Sequence, residues 1–496
     1  MASIDRRKFL LTAAGGLGGL GLASCVDTAA PLTGIGAEIL AEVDANGIHL
    51  RQNIYCMKDT HPDLVAYRKG VAVMKTRPAS DPTSWEAQRA IHWTTAPILP
   101  IVNECQHGTL FFFSWHRMYL YWFERIVRAA AGAPSFALPY WGYTPTGQRD
   151  LPAPFRIPAD PALNPLYTAS RNAAVNAGTP LTASAVDPAA ALALIPFTNF
   201  QSSLEGTPHG QVHVAVGGWM GSVPTAALDP IFYLHHAQID RLWEVWLAMG
   251  GGRANPTTPP WTTDIFEFYD ENGNVVQMTG ADIVSTVRQL CYRYISCSPV
   301  AVDAAEPVDA VDAQTAAIAE PISRRPGRVA AEPLADAQVG VRLGALPLSV
   351  RVPLSRGAGV ALRDLEAGRG GGNDVFARLD GLVLLQEPRV FYEVYANLPH
   401  APEQATYRSP FYVGSLDFFG VPVQGAGHAG HVPDHAGHGR RLSLLRVYAY
   451  LRSRGLWRDG DVTLTFIPRG YTEGAEPTRL LSGDQAYIGR IAVAIQ

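Results

Sequence analysis

Histidines carry the chemistry that this sequence can do. Seven of its 14 imidazoles, those of His92, His107, His116, His209, His213, His235 and His236, fall in four apolar segments. His209 and His213 stand four apart, so on a helix both rings share one face and can reach one ion. Such a pair alone is weak evidence, because ordinary core and surface histidines adopt it too. The zinc-protease form would need Glu directly after the first histidine, and Gly210 stands there. The full set is what matters: burying so many imidazoles without partners costs more than local hydrogen bonds return. Two metals with three imidazoles each would satisfy them, and an all-nitrogen donor set suits copper or zinc. A thiol joins the group in "CQHGTLFFFSWHR", where Cys105 precedes His107 by two residues.

Four segments must position these side chains. "DPTSWEAQRAIHWTTAPILP" opens with capping candidates and closes on prolines, which predicts a helix from near Ser84 that carries His92. "SWHRMYLYWFERIVRAAAG" has Ser114 to cap and Gly132 to stop it, and its apolar residues on nearly every face make a buried helix. "TPHGQVHVAVGG" starts with Thr207 as cap and Pro208 at the first helical position; "DPIFYLHHAQIDRLWEVWLAMGG" repeats this with Asp229 and Pro230 and ends at Gly250 and Gly251. A mainly α domain follows, a four-helix bundle whose core holds the site. Phe112 and Phe232 on these helices fit both plain core and the wall of that site. The Pro-, Ala- and Asn-rich stretch 144–200 reads as irregular wrapping.

Length and charge bound the rest. A chain of 496 residues exceeds one core and predicts two domains. With 40 Lys+Arg against 44 Asp+Glu and no basic block, nucleic acid is not the partner, and a small molecule fits better. Residues 298–338, rich in Ala, Asp, Glu and Pro and without aromatics, read as a linker. Residues 339–496 turn to strand patterns such as "RVFYEVYAN" and "DVTLTFIPR", which predict an all-β sandwich. Residues 1–25 join Arg6 and Arg7 to an apolar run and resemble a twin-arginine signal. That resemblance implies export of a folded protein to the periplasm or the cell exterior. Leu22 to Cys25 also resemble a lipobox, which would anchor a lipidated Cys25 to a membrane; an ordinary small-residue cleavage site reads equally well. Five cysteines are an odd number, so Cys105 stands apart, and one disulfide among Cys56, Cys291 and Cys297 fits the remainder without an assigned pairing.

The segment "HGTLFFFSWHR" with His92 upstream, and "LEGTPHGQVH" with "DPIFYLHHAQIDRLW", resemble the two copper signatures of the tyrosinase and polyphenol oxidase family of type-3 copper proteins. The likeness covers roughly residues 46–297, inside a domain taken as 26–297, and "YRY" at 292–294 resembles the family's closing tyrosine motif. It implies two copper ions, one on His92, His107 and His116 and one on His209, His213 and His236. His235 would stand behind the ligands, and Asp240 would orient an imidazole by accepting its N–H. A helix-surface pair with Arg241 is the other account of Asp240. Cys105 resembles the cysteine that in some members forms a thioether to the histidine two residues on, here His107; a free buried thiol or a disulfide partner is the alternative.

The family chemistry implied is oxidation of o-diphenols to o-quinones with dioxygen as co-substrate. Glu205 aligns with a glutamate that serves as a base toward the phenol, although a carboxylate near a helix start is also favoured by the helix dipole. Gly210, Val214 and Val223 would line the entrance. Gly210 replaces an asparagine of strong monophenolases, which favours catechol oxidase over tyrosinase; o-aminophenol oxidase and a haemocyanin-type oxygen carrier are further readings. "SPFYVGSLDF" and "LTFIPR" resemble a C-terminal domain that shields the copper site until it is cut or displaced, against a permanent structural domain. His428, His431, His435 and His438 lie in a Gly-rich loop that suits either copper gathering or plain solvation.

Overall fold

The computed structural model describes residues 47–296, 332–366, 374–424 and 439–495. The signal-like segment with Cys25, most of the linker, Cys297 and the four loop histidines from 428 to 438 lie outside them. No helix among the described residues is long and apolar enough to cross a membrane.

The first half is helical. Helix α1 (Pro62–Thr76) lies against α3 (Phe112–Ala131), and Gly70 permits the approach, since a Cβ there would stand 2.8 Å from a Val127 methyl. Between them α2 (Trp85–His92) starts where the sequence predicts, with the Ser84 hydroxyl accepting the Ala87 amide at 3.0 Å. Helix α3 ends as expected at Gly132, whose φ of 61° is the left-handed cap that glycine favours. Its start differs from expectation. The helix begins two residues before Ser114, which is buried and donates to the Phe111 carbonyl instead of capping.

Helix α4 (Phe197–Leu204) runs through a wide turn at Glu205–Gly210 into α5 (Gln211–Val216). Thr207 is extended at this kink (φ −136°, ψ 121°), and its buried hydroxyl finds no partner, so it does not cap as expected. Helix α6 (Ile231–Ala248) is capped by Asp229, which accepts the Ile231 amide at 3.1 Å and holds the buried Arg171 through both oxygens. Ring stacking locks the helices: Phe113 on Trp243 joins α3 to α6, and Phe200 on Trp246 joins α4 to α6.

Strand β1 (His49–Gln52) leads the domain, and a hairpin of β2 (Phe266–Tyr269) and β3 (Val275–Met278) precedes β4 (Tyr292–Ile295). Parallel pairing of β1 with β4 sets Arg51 beside Tyr294. Cys56 and Cys291 are disulfide-bonded, and Cys105 is a free thiol among the described residues.

The second half is a sheet region that begins at Glu332, inside the segment read as linker. Its first strand is β5 (Glu332–Leu343), followed by β6 (Leu348–Pro353), β7 (Val375–Leu384), β8 (Val390–Ala396), β9 (Tyr412–Leu416), β10 (Arg440–Ser443), β11 (Asp461–Gly470) and β12 (Ala486–Ile495). They form two sheets of order β10-β7-β12-β5 and β6-β11-β8-β9, whose inner residues share one apolar core. The region is not purely β as expected: α7 (Ala358–Glu366) and α8 (Leu445–Ser453) pack their apolar faces into the same core.

The two halves are stitched together. Thr182 donates its amide to the Tyr471 carbonyl and its hydroxyl to the Gly470 carbonyl, and Arg149 pairs with Glu473. Phe391, Phe419 and Tyr471 of the sheet region are buried in the core of the helical half.

Candidate metal centre

The four predicted segments converge. His92 closes α2, His107 sits on the loop before α3, His116 lies one turn into α3, and α5 and α6 bring His213, His235 and His236, with His209 at the kink. Ring centroids within His92, His107 and His116 lie 5.2–6.0 Å apart, and within His209, His213 and His236 4.6–5.4 Å apart. The two triads face each other: His116 stacks on His236 at 4.3 Å, and His107 stands 5.5 Å from His209.

Hydrogen bonds fix which nitrogen of each ring looks inward. The Nδ1–H groups of His116, His209 and His213 donate to the carbonyls of Phe112, Glu205 and Met220 at 2.7–2.8 Å. Their Nε2 lone pairs are thereby left pointing into the cluster. Nε2 of His92, His107, His116 and His209 is buried without a partner, while the Nε2 atoms of His213 and His236 face each other at 3.3 Å. Burial, and then the mutual repulsion of neighbouring imidazoles, holds the rings of His116, His209 and His236 well below the usual histidine range, so they are neutral donors at pH 7. Orphaned lone pairs on an all-imidazole set fit a pair of copper ions.

His235 stands beside this set. Its ring stacks 5.5 Å from His209, its Nδ1 faces the Tyr143 hydroxyl at 3.3 Å, and its nitrogen belongs to one compact group with those of His209, His213 and His236. Phe112 packs on His116 and His209, and Phe232 on His236 and His92, so both aromatics do wall the cluster. The Cys105 thiol lies 3.5 Å from His107 Nδ1. Glu205 accepts the Gly108 amide at 2.6 Å, and burial pushes its carboxyl up to about 8, with Asp417 adding to the shift against the opposing Gly108 bond and Arg440.

Asp240 requires a correction, because no imidazole donates to it. It accepts Arg117 Nε at 2.5 Å and the hydroxyls of Tyr292 and Tyr294 at 2.6 and 2.7 Å, with Arg51 at 3.5 Å. One turn beyond His236 the helix faces α3 and β4, where two buried guanidinium groups need a counter-charge, and the imidazoles take carbonyls that are nearer. Asp240→Ala is therefore expected to destabilise the fold by about 3–5 kcal/mol, the usual cost of leaving buried charges unpaired, read by urea unfolding. A loss under about 1 kcal/mol would contradict this role.

A cavity of about 450 Å³ opens beside the cluster, lined by Cys105, His107, Glu205 and His209 from one half and Asp417, Phe419 and Arg440 from the other. Val223 lines it as expected; Gly210 and Val214 do not, Val214 being packed into the apolar core. The sheet region fills the mouth. Phe419 lies flat on His213 at 4.0 Å and edge-on to His209 and His107 at 5.4 and 5.6 Å. Arg440 grips Asp417 at 2.9 and 3.1 Å and the Phe419 carbonyl at 2.6 Å, and Asp417 accepts the Phe419 amide. These residues escaped the sequence reading because, in "SLDFFGVP", nothing local separates Phe419 from Phe418, which is ordinary core.

Known proteins decide the family. The model of the common central domain of tyrosinase matches residues 82–182 and 164–249, and that of the polyphenol oxidase middle domain matches 255–302. Through these residues the chain belongs to the tyrosinase and polyphenol oxidase family. Tyrosinase HcTyr1 of Hahella sp. (strain CCB-MM4) is 37% identical over 306 residues, 50% of this chain and 64% of that protein. The chloroplastic polyphenol oxidase of Malus domestica is 30% identical over 270 residues, 46% of this chain and 45% of its own. The chain thus spans about half to somewhat under two thirds of the length of these relatives. Latent aurone synthase (TM-score 0.62) and latent apple tyrosinase (TM-score 0.60), both 22% identical, share the fold over 90% of this chain and 89% and 96% of theirs.

Proposed function

We propose that this chain is a dicopper phenol oxidase that converts o-diphenols to o-quinones with dioxygen, and that it exists first in a closed, latent form. The observation that carries the reading is the set of neutral, buried imidazoles whose inward nitrogens have no protein partner beyond one another. In this reading His92, His107 and His116 hold one copper and His209, His213 and His236 the other, in a four-helix bundle of α2, α3, α5 and α6. Bound copper supplies the two-electron exchange between a phenol and dioxygen.

The chain supplies the rest. Backbone carbonyls set the tautomers of three imidazoles, and Phe112 and Phe232 exclude water from the ligand set. Glu205, on the cavity wall beside His107 and His209, takes the proton of the entering phenol as a general base. A side chain is missing at Gly210, which favours catechol oxidase over tyrosinase. Cys105 and His107 would join in a thioether: the S–H and an imidazole C–H bond would be lost, an S–C bond would form, and the two protons and two electrons would pass to dioxygen, giving hydrogen peroxide. The mass of the peptide carrying both residues is then lower by two hydrogens than its sequence mass, and an unmodified peptide from copper-loaded protein would reject the bond. Export by the twin-arginine route rests on Arg6, Arg7 and the apolar run up to Cys25.

Latency is read from Phe419, which covers His213, His209 and His107, on a loop leaving one of two sheets that we take as a sandwich. Truncating it to Gly removes about 2 kcal/mol of burial and shifts the closed-to-open balance about thirtyfold. The intact, copper-loaded Phe419→Gly chain should therefore oxidise catechol about thirtyfold faster than the parent chain. Equal rates would remove Phe419 from the account.

A further inference from the structure

Gly210 has no conformational reason to be glycine. Its φ of −60° and ψ of −35° are ordinary helix, where alanine is the better residue. What it lacks is room. A Cβ at position 210 would stand 2.5 Å from Asp417 Oδ1, 2.9 Å from its Cγ and 3.4 Å from its Cβ, and these are its three nearest neighbours. Gly206, on the preceding turn, faces the other oxygen of the same carboxylate, with its would-be Cβ 3.4 Å away.

The two glycines therefore form a slot, and the slot is filled from the other half of the molecule. Asp417 cannot swing aside cheaply. It is 2% exposed, Arg440 holds both its oxygens, and one of them also accepts the Phe419 amide. Moving the carboxylate would release the turn that presents Phe419 to the histidines.

We infer that Gly210 is the socket for Asp417: a docked sheet region and a side chain at position 210 exclude each other, so the absence of a side chain there is a condition of closure. The inference rests on reading Phe419 as the cover of the site, but its geometry concerns docking alone. It makes the pair Gly210 and Asp417 a positioning device for Phe419, acting through the turn that Arg440 braces.

Hydrogen exchange at the Phe419 and Gly420 amides of the intact chain tests this without any turnover. Gly210→Ala should speed exchange there by more than about tenfold, while Val394 and Tyr395 in the central strand β8 stay as protected as in the parent. Gly206→Ala, with its looser contact, should do less. In an Asp417→Ala background Gly210→Ala should add nothing, because the atoms that clash are gone. A Gly210→Ala chain that folds only together with Asp417→Ala would support the socket equally. Unchanged exchange at Phe419, additive effects in the double variant, or a matching rise at Val394 and Tyr395 would overturn it. Faster exchange with no gain in catechol oxidation would leave the socket standing and reject Phe419 as the barrier to substrate.

Discussion

His209→Ala is expected to leave about one copper per chain and to lower catechol oxidation by more than about a hundredfold, exceeding the 10–100-fold typical of residues that only orient a ligand. Its ring stands at the centre of the cluster, 4.6 Å from His213, 5.1 Å from His236 and 5.5 Å from His107. Its Nδ1–H is committed to the Glu205 carbonyl, so only Nε2 is free to bind. Metal analysis and oxygen uptake on the same sample check both halves of the claim. Two coppers retained, or activity within about tenfold of the parent, would show that His209 is not a ligand.

Glu205→Gln separates binding from chemistry. The amide can still accept the Gly108 N–H through its oxygen, so the loop carrying His107 keeps its position. What is lost is a group able to take a proton. Loss of a general base costs about a hundredfold to ten-thousandfold, so kcat should fall by at least about a hundredfold with copper content unchanged. The variant is best measured in the Phe419→Gly chain, where access does not mask the step. A variant that loses copper instead would make Glu205 a structural brace of the His107 loop.

Much of the helical half was legible because caps and stops act locally. Ser84, Gly132 and Asp229 each do what their types predict. Ser114 and Thr207 misled because the same residue types have other options in a buried setting: Ser114 bonds back to the Phe111 carbonyl, and Thr207 sits extended at a kink. Of the site, the clustered histidines stood out by their number in apolar segments, while their division into two triads and the aromatic walls came from the resemblance. The role of Asp240 could not be read, since its partners Arg51, Arg117 and the pair Tyr292 and Tyr294 come from three distant stretches that only the β1 to β4 pairing and the α3 to α6 packing bring together. Phe419, Asp417 and Arg440 were hidden for the same reason, lying more than 200 residues along the chain from the histidines they cover. Strand β5 starts within a stretch of small and acidic residues, because pairing with β12 decides its structure where propensity does not.

The most direct test of the account is oxygen uptake with catechol by copper-loaded protein, taken before and after proteolytic cutting within residues 298–331 and displacement of the sheet region. The account predicts two coppers per chain, slow uptake by the intact form and a large rise once Phe419 leaves the histidines. Two bound coppers with no uptake in either form would contradict it and turn the centre toward oxygen carriage or another substrate.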